Sequence, residues 1–164
     1  METALPDKTP ALLLSDSVIL FDGICRLCSR WTRFVIRRDK LRRFKLASVQ
    51  SPEGQEILAH FGLPLDRFDT MLYIEQGRVY TRSDAVLRVI AQINGGWRHL
   101  ALLRCLYRPL RDSVYDLVAR HRYALFGTHA QCWLPGPEDA DRFLDGARLR
   151  KNTKKENSVK EQGN

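Results

Sequence analysis

The stretch VILFDGICRLCSRW, Val18 to Trp31, sets two cysteines three positions apart where an unbroken apolar run gives way to a helical pattern. Val18, Ile19, Leu20 and Phe21 read as a short strand buried on both faces and ended by the Asp22-Gly23 turn. Beyond it, Leu27, Trp31, Phe34 and Val35 recur at helical spacing while Arg30, Arg33, Arg37 and Arg38 take the other side. The second cysteine therefore falls in the first turns of an amphipathic helix, and the chain opens as an α/β protein.

The rest of the order follows from local signals. RFKLASV supplies a second strand, and Ser51-Pro52 is an N-cap followed by a residue suited to the first helical position. Ile57, Leu58 and Phe61 give that helix its apolar face until Gly62 and Pro64 stop it. TMLYIE and RVYTR are β-rich runs joined across QG, a hairpin in which the glycine takes a positive φ. Ser83 announces another helix, buried along Val86, Val89, Ile90 and Ile93 and stopped at NGG. The pattern over Val18 to Asn94 is βαβα followed by ββα, the order of a thioredoxin-like fold.

Residues 97–126 are expected to be helical throughout, with a break at Pro109. Leu100, Leu103, Leu106 and Leu110 form one stripe and Val114, Leu117, Val118 and Leu125 another, so two helices are expected to bury these stripes on the core or on each other. Cys105, between Leu103 and Leu106, reads as a small core residue. A basic amphipathic helix lying on a membrane surface is the lesser reading of this segment. The resulting organisation is a flexible segment 1–16, a thioredoxin-like core 17–96, a helical extension 97–145 packed on it, and a disordered basic tail 146–164.

Composition sets the compartment and excludes several function classes. The 164 residues, 44% hydrophobic and 28% charged, suffice for one sizeable core. Four cysteines are too few for a disulfide-built secreted scaffold, the N-terminus lacks the pattern of a signal peptide, and no run of about 18 apolar residues occurs. A cytoplasmic, reducing location is expected, where a CxxC is catalytic, redox-sensing or metal-binding. The formal charge of +8 owes about half to the tail from Arg148 to Asn164, with six basic and two acidic residues, and the remaining arginines are scattered; no nucleic-acid partner is expected.

The CxxC spacing puts both sulfurs on one side of the first helical turn, as disulfide exchange requires. Cys25 at the helix start gains from free backbone N–H groups and the positive end of the dipole, with Arg26 as a nearby cation, so its pKa should fall below the ~8.5 of a free thiol. Cys25 is the expected nucleophile and the more exposed sulfur, and Cys28, beside Leu27 and Trp31, the expected resolving thiol. Asp22 has the wrong sign to activate Cys25 directly. Two roles stay open for it: proton acceptor for Cys28, or a carboxylate that bonds backbone N–H groups and shapes the turn.

FDGICRLC resembles the signature of the DCC family of thiol-disulfide oxidoreductases, named for one Asp and two Cys that map onto Asp22, Cys25 and Cys28. The likeness continues through FKLASVQSPEGQEIL, DTMLYIEQGRVYTRSDAVLRV, RPLRDSVYDLVARHRY and CWLPGPE, roughly Val18 to Phe143. It implies a thioredoxin-like fold and reductase activity on protein or small-molecule disulfides, supplied by an upstream thiol reductant and needing no cofactor. Ordinary thioredoxins carry Gly-Pro between the cysteines and a cis-proline before the third strand; here stand Arg26-Leu27, and Asp69 and Thr70. Arg26, Trp31, Asp69 and Thr70 are accordingly the expected substrate-binding residues, forming a more polar wall.

Two alternatives use the same residues. THAQC offers His129 and Cys132, which with Cys25 and Cys28 would complete a Cys₃His zinc site, although no metal is expected because the two pairs lie about a hundred residues apart. Alternatively, the chain is a non-enzymatic adaptor whose helical C-terminal half binds a partner protein.

Overall fold

The computed structural model describes residues 17–66, 70–93, 95–131, 133 and 135–144. Four strands, β1 (Ser17–Phe21), β2 (Phe44–Ser48), β3 (Leu72–Glu75) and β4 (Arg78–Thr81), form one sheet in the order β2-β1-β3-β4. β1 and β2 are parallel and joined by α1 (Arg26–Arg38); β3 is antiparallel to both β1 and β4. Helix α2 (Pro52–His60) follows β2, and α3 (Arg82–Gln92) follows β4. This is the anticipated βαβα-ββα order, a mixed α/β architecture consistent with a thioredoxin-like fold.

β1 is buried on both faces because alternate side chains serve different cores. Ile19 and Phe21 join Val35 of α1 and Val89 of α3, whereas Val18 and Leu20 join Ile57 and Leu58 of α2. Local chemistry fixes the connections. Ser51 caps α2 by accepting from the Gly54 N–H at 3.0 Å, and the QG turn has both Gln76 (φ 49°) and Gly77 (φ 74°) in the left-handed region that a tight hairpin requires. Gly54 is needed for another reason: a Cβ there would lie 2.0 Å from the Ser48 carbonyl oxygen.

The C-terminal half departs from expectation in three respects. Residues Gly96–Cys105 form a 3₁₀ helix, not an α-helix, and α4 (Arg108–Phe126) carries Pro109 inside its first turn, so the break precedes the proline. Proline fits there because first-turn N–H groups have no intrahelical acceptor to lose. The two apolar stripes are not buried: Leu100, Leu103, Leu106, Leu110, Val114, Leu117, Val118 and Leu125 are all exposed. Cys105 is exposed as well, correcting its reading as a core residue. Helix α4 meets α1 and α3 through its opposite face, where Arg111, Asp112, Tyr115, Asp116, Ala119 and Arg122 are half-buried or buried. Periodicity revealed an amphipathic helix but not which side faces inward, and polar partners on the core reversed the orientation.

After α4 the chain returns to the sheet edge. Arg142 donates to the buried Asp39 carboxylate at 3.2 Å and to the Asp39 carbonyl at 2.8 Å, and the Leu144 N–H donates to the Leu46 carbonyl at 2.9 Å. Segment 1–16 and tail 146–164 lie outside the described residues.

Candidate functional site

The site forms where β1 ends and α1 begins. Cys25 occupies the N-cap position of α1 with extended backbone (φ −72°, ψ 123°), so the free N–H groups of the first turn surround its sulfur. A hydrogen bond from the Cys28 thiol is the largest influence on Cys25. The N–H groups of Cys28 and Leu27 and the charge of Arg122 act in the same direction, burial opposes them, and the pKa is lowered to about 6. Cys28 is pushed strongly upward by the hydrogen bond it shares with Cys25, by burial and by the Cys25 charge. The pair is thus a thiolate beside a thiol.

Asp22 holds this turn in place. Its Oδ1 accepts from the Ile24 N–H at 3.0 Å and from the Gln50 side-chain amide at 2.7 Å, while the Gln50 Oε1 accepts from the Gly23 N–H at 3.0 Å. Its Oδ2 pairs with Arg122 at 3.4 Å and accepts a short hydrogen bond from the Tyr123 hydroxyl. Of the two roles weighed for Asp22, these contacts are the ones that shaping of the turn calls for. The carboxylate also faces a buried guanidinium on α4, and its charge contributes to raising the Cys28 pKa.

Exposure of the two sulfurs is the reverse of the expectation. Cys25 is 0% exposed, whereas Cys28 is partly exposed. The cause is a strap: the Arg26 N–H donates to the Gly127 carbonyl at 3.3 Å and the His129 N–H to the Ile24 carbonyl at 2.8 Å, setting Thr128 opposite Cys25. The Trp133 N–H extends the contact to the Gly23 carbonyl at 2.9 Å. No local signal could announce it, because the strap lies a hundred residues downstream.

Beside Cys28 opens an apolar cavity of about 170 Å³ between Leu27 and Trp31 of α1, Met71 before β3, Val86 of α3 and Tyr115 of α4. Trp31 stacks on Phe34 at 5.7 Å, and its indole N–H is buried without a hydrogen-bond partner among the described residues. Thr70 is tied to α4: its hydroxyl lies 3.1 Å from the Tyr115 hydroxyl, which also accepts from the Met71 N–H at 2.9 Å. Arg26 is exposed and lies along the strap, its side chain within 3.6 Å of where a Cβ on Gly127 would stand. Asp69 lies outside the described residues.

The sequence reading missed Gln50, Tyr115, Arg122 and Tyr123. The only available signal was the polar spacing Arg111, Tyr115, Arg122 opposite the leucine stripe. The zinc alternative is only partly in view. The strap brings the backbone of His129 beside the cysteine turn, Cys132 lies outside the described residues, and no group of three or more His, Cys, Asp or Glu side chains suited to a metal ion occurs among the described residues.

The model of the DCC1-like thiol-disulfide oxidoreductase family matches residues 19–128, from β1 to the strap. The uncharacterized protein YuxK of Bacillus subtilis (strain 168) is 42% identical over 131 residues, covering 80% of this chain and 96% of that protein. The chloroplastic DCC family protein At1g52590 of Arabidopsis thaliana is 34% identical over 119 residues, 71% of this chain and 69% of that one. No solved structure matches. With the cysteine pair, its aspartate and the surrounding fold all inside the matched region, the chain belongs to the DCC1-like thiol-disulfide oxidoreductase family.

Proposed function

We propose that the chain reduces disulfides of proteins or small molecules with the Cys25/Cys28 dithiol, Cys25 attacking and Cys28 resolving. The observation that carries this reading is the Cys25 sulfur at the start of α1, its pKa lowered to about 6 by the Cys28 thiol and two backbone N–H groups. At neutral pH it is largely thiolate, the nucleophilic form.

The Cys25 thiolate attacks one sulfur of the substrate disulfide, forming a mixed disulfide and releasing the other half as a thiolate. The negative charge on Cys25 is then gone, and with it the hydrogen bond and repulsion that hold the Cys28 pKa up. Cys28 loses its proton to solvent and attacks the Cys25 sulfur, releasing the second thiolate and leaving a Cys25–Cys28 disulfide. The substrate has gained two electrons. A dithiol reductant or a thioredoxin- or glutathione-type donor returns them, in keeping with a cytoplasmic location.

Arg122 keeps positive charge beside the pair, and Trp31, Thr70 and Arg26, together with Asp69 outside the described residues, are the residues assigned here to receive the substrate. Cys25 is fully covered with the strap at Gly127–His129 laid against it, so attack calls for one of its covering elements to move. Turnover of insulin and of a small aromatic disulfide, with dithiothreitol as donor, tests the proposal. Wild type should reduce at least one substrate catalytically and Cys25→Ser neither; equal rates for the two proteins would remove the assignment.

A further inference from the structure

We propose that the outer face of the 3₁₀ helix and α4 docks on an anionic lipid surface. Helix α4 is inside out: its inner stripe holds Arg111, Tyr115 and Arg122, while Leu110, Val114, Leu117 and Leu125 point to solvent, Leu117 61% and Leu125 68% exposed. The 3₁₀ helix and the link that lead into α4 are apolar on the outside too, with Leu102 70% and Tyr107 72% exposed. Scattered exposed leucines are ordinary, but a continuous helical stripe of them marks a binding surface.

Charge selects the occupant. The exposed charged residues of this segment are Arg98, Arg104, Arg108 and Arg120, all positive; Arg104 pairs with Asp84 at 3.8 Å and Arg108 with Asp112 at 3.6 Å, whereas Arg98 and Arg120 have no ion-pair partner among the described residues. Its two carboxylates are half-buried and engaged, Asp112 by Ser83 and Arg108, and Asp116 by Arg82 at 3.4 Å. Apolar groups accompanied by the unpaired cations Arg98 and Arg120 suit the boundary of an anionic bilayer, where apolar side chains enter the acyl region and arginines meet lipid phosphates. A second copy fits poorly, because two such faces would bring like charges together. No helix among the described residues is long and apolar enough to cross a membrane, so contact would be peripheral. It would hold the dithiol about one helix diameter, ~10 Å, from the surface, since the inner face of α4 carries Arg122 against Asp22.

The test is sedimentation of the full chain with vesicles of phosphatidylcholine containing about 30% phosphatidylglycerol, and with phosphatidylcholine alone. Wild type should bind the anionic vesicles at least tenfold more tightly and release them as salt rises past ~0.5 M. The double variant Leu110→Ser/Leu117→Ser changes only exposed positions; its fold is checked by circular dichroism, and its binding should fall about tenfold or more. Three results would each overturn the proposal. They are a wild-type chain left in the supernatant, anionic binding unaltered in the double variant (the mark of attachment by charge alone, as through the basic tail), and a concentration-dependent dimer that the double variant dissociates.

Discussion

Asp22 and Arg122, 100 residues apart in the chain, form a buried ion pair with Oδ2 3.4 Å from the guanidinium, next to Cys25 and Cys28. One partner shapes the turn that carries Cys25, and the other comes from the helix laid across it. Family membership, fold and electrostatics of the site thus meet at one contact.

Arg122→Gln should act on stability and chemistry together. Removing the guanidinium leaves the buried Asp22 carboxylate with its hydrogen bonds from Ile24, Gln50 and Tyr123 but without its charged partner, which costs about 1.5–3 kcal/mol, read as a lower denaturant midpoint. It also removes a positive charge that lowers the Cys25 pKa, so the pH midpoint of iodoacetamide reaction at Cys25 should rise. Arg122→Lys should restore part of the midpoint shift. A merely structural role would leave the pH profile of the folded fraction unchanged.

What was legible in the sequence was what short segments decide. The strand entering a CxxC helix, the Ser51 cap and the QG hairpin each follow from neighbouring residues, and all are present. Long-range choices were not legible. Nothing near Cys25 announces that Thr128 will lie opposite it, and nothing near Asp22 announces Arg122. The leucines of α4 show the same limit: period fixed the stripe, but the inward side went to Tyr115 and Arg122 because the site offers them Thr70, Met71 and Asp22 as partners.

Cys28→Ala should raise the Cys25 pKa, since the Cys28 thiol is the largest single cause of its depression; Cys28→Ser, which keeps a hydroxyl donor, should raise it less. The alkylation rate of Cys25 in wild type should climb through about pH 6 and level off. Stability follows with a definite sign. A pKa lower in the folded chain contributes stability that is complete above the ~8.5 of an unfolded thiol and is lost as pH falls through about 6, so Cys25→Ser should flatten the stability profile between those limits.

Gly127→Ala should speed reaction at Cys25. Gly127 sits at φ 77°, ψ −177°, a region nearly closed to other residues, at the end of α4 where the strap begins. An added Cβ meets Arg26 only at ordinary contact distance, so backbone strain dominates, at about 1–3 kcal/mol. If strap opening admits reagents, its open population and the alkylation rate should rise about tenfold under conditions where closing is fast. An unchanged rate, with the substitution accommodated and the fold intact, would mean that Cys25 is reached from the cavity beside Cys28.

The central claim is that Cys25 attacks and Cys28 resolves. The most direct measurement is intact mass after each single-serine variant meets one equivalent of a small disulfide, followed by peptide mapping of the modified site. Cys28→Ser should accumulate a mixed disulfide on Cys25, Cys25→Ser should stay unmodified at Cys28 on the same timescale, and wild type should lose the mass of two hydrogen atoms as the Cys25–Cys28 disulfide closes. Stable modification of Cys28 in Cys25→Ser, at the rate seen for Cys25 in Cys28→Ser, would contradict the account.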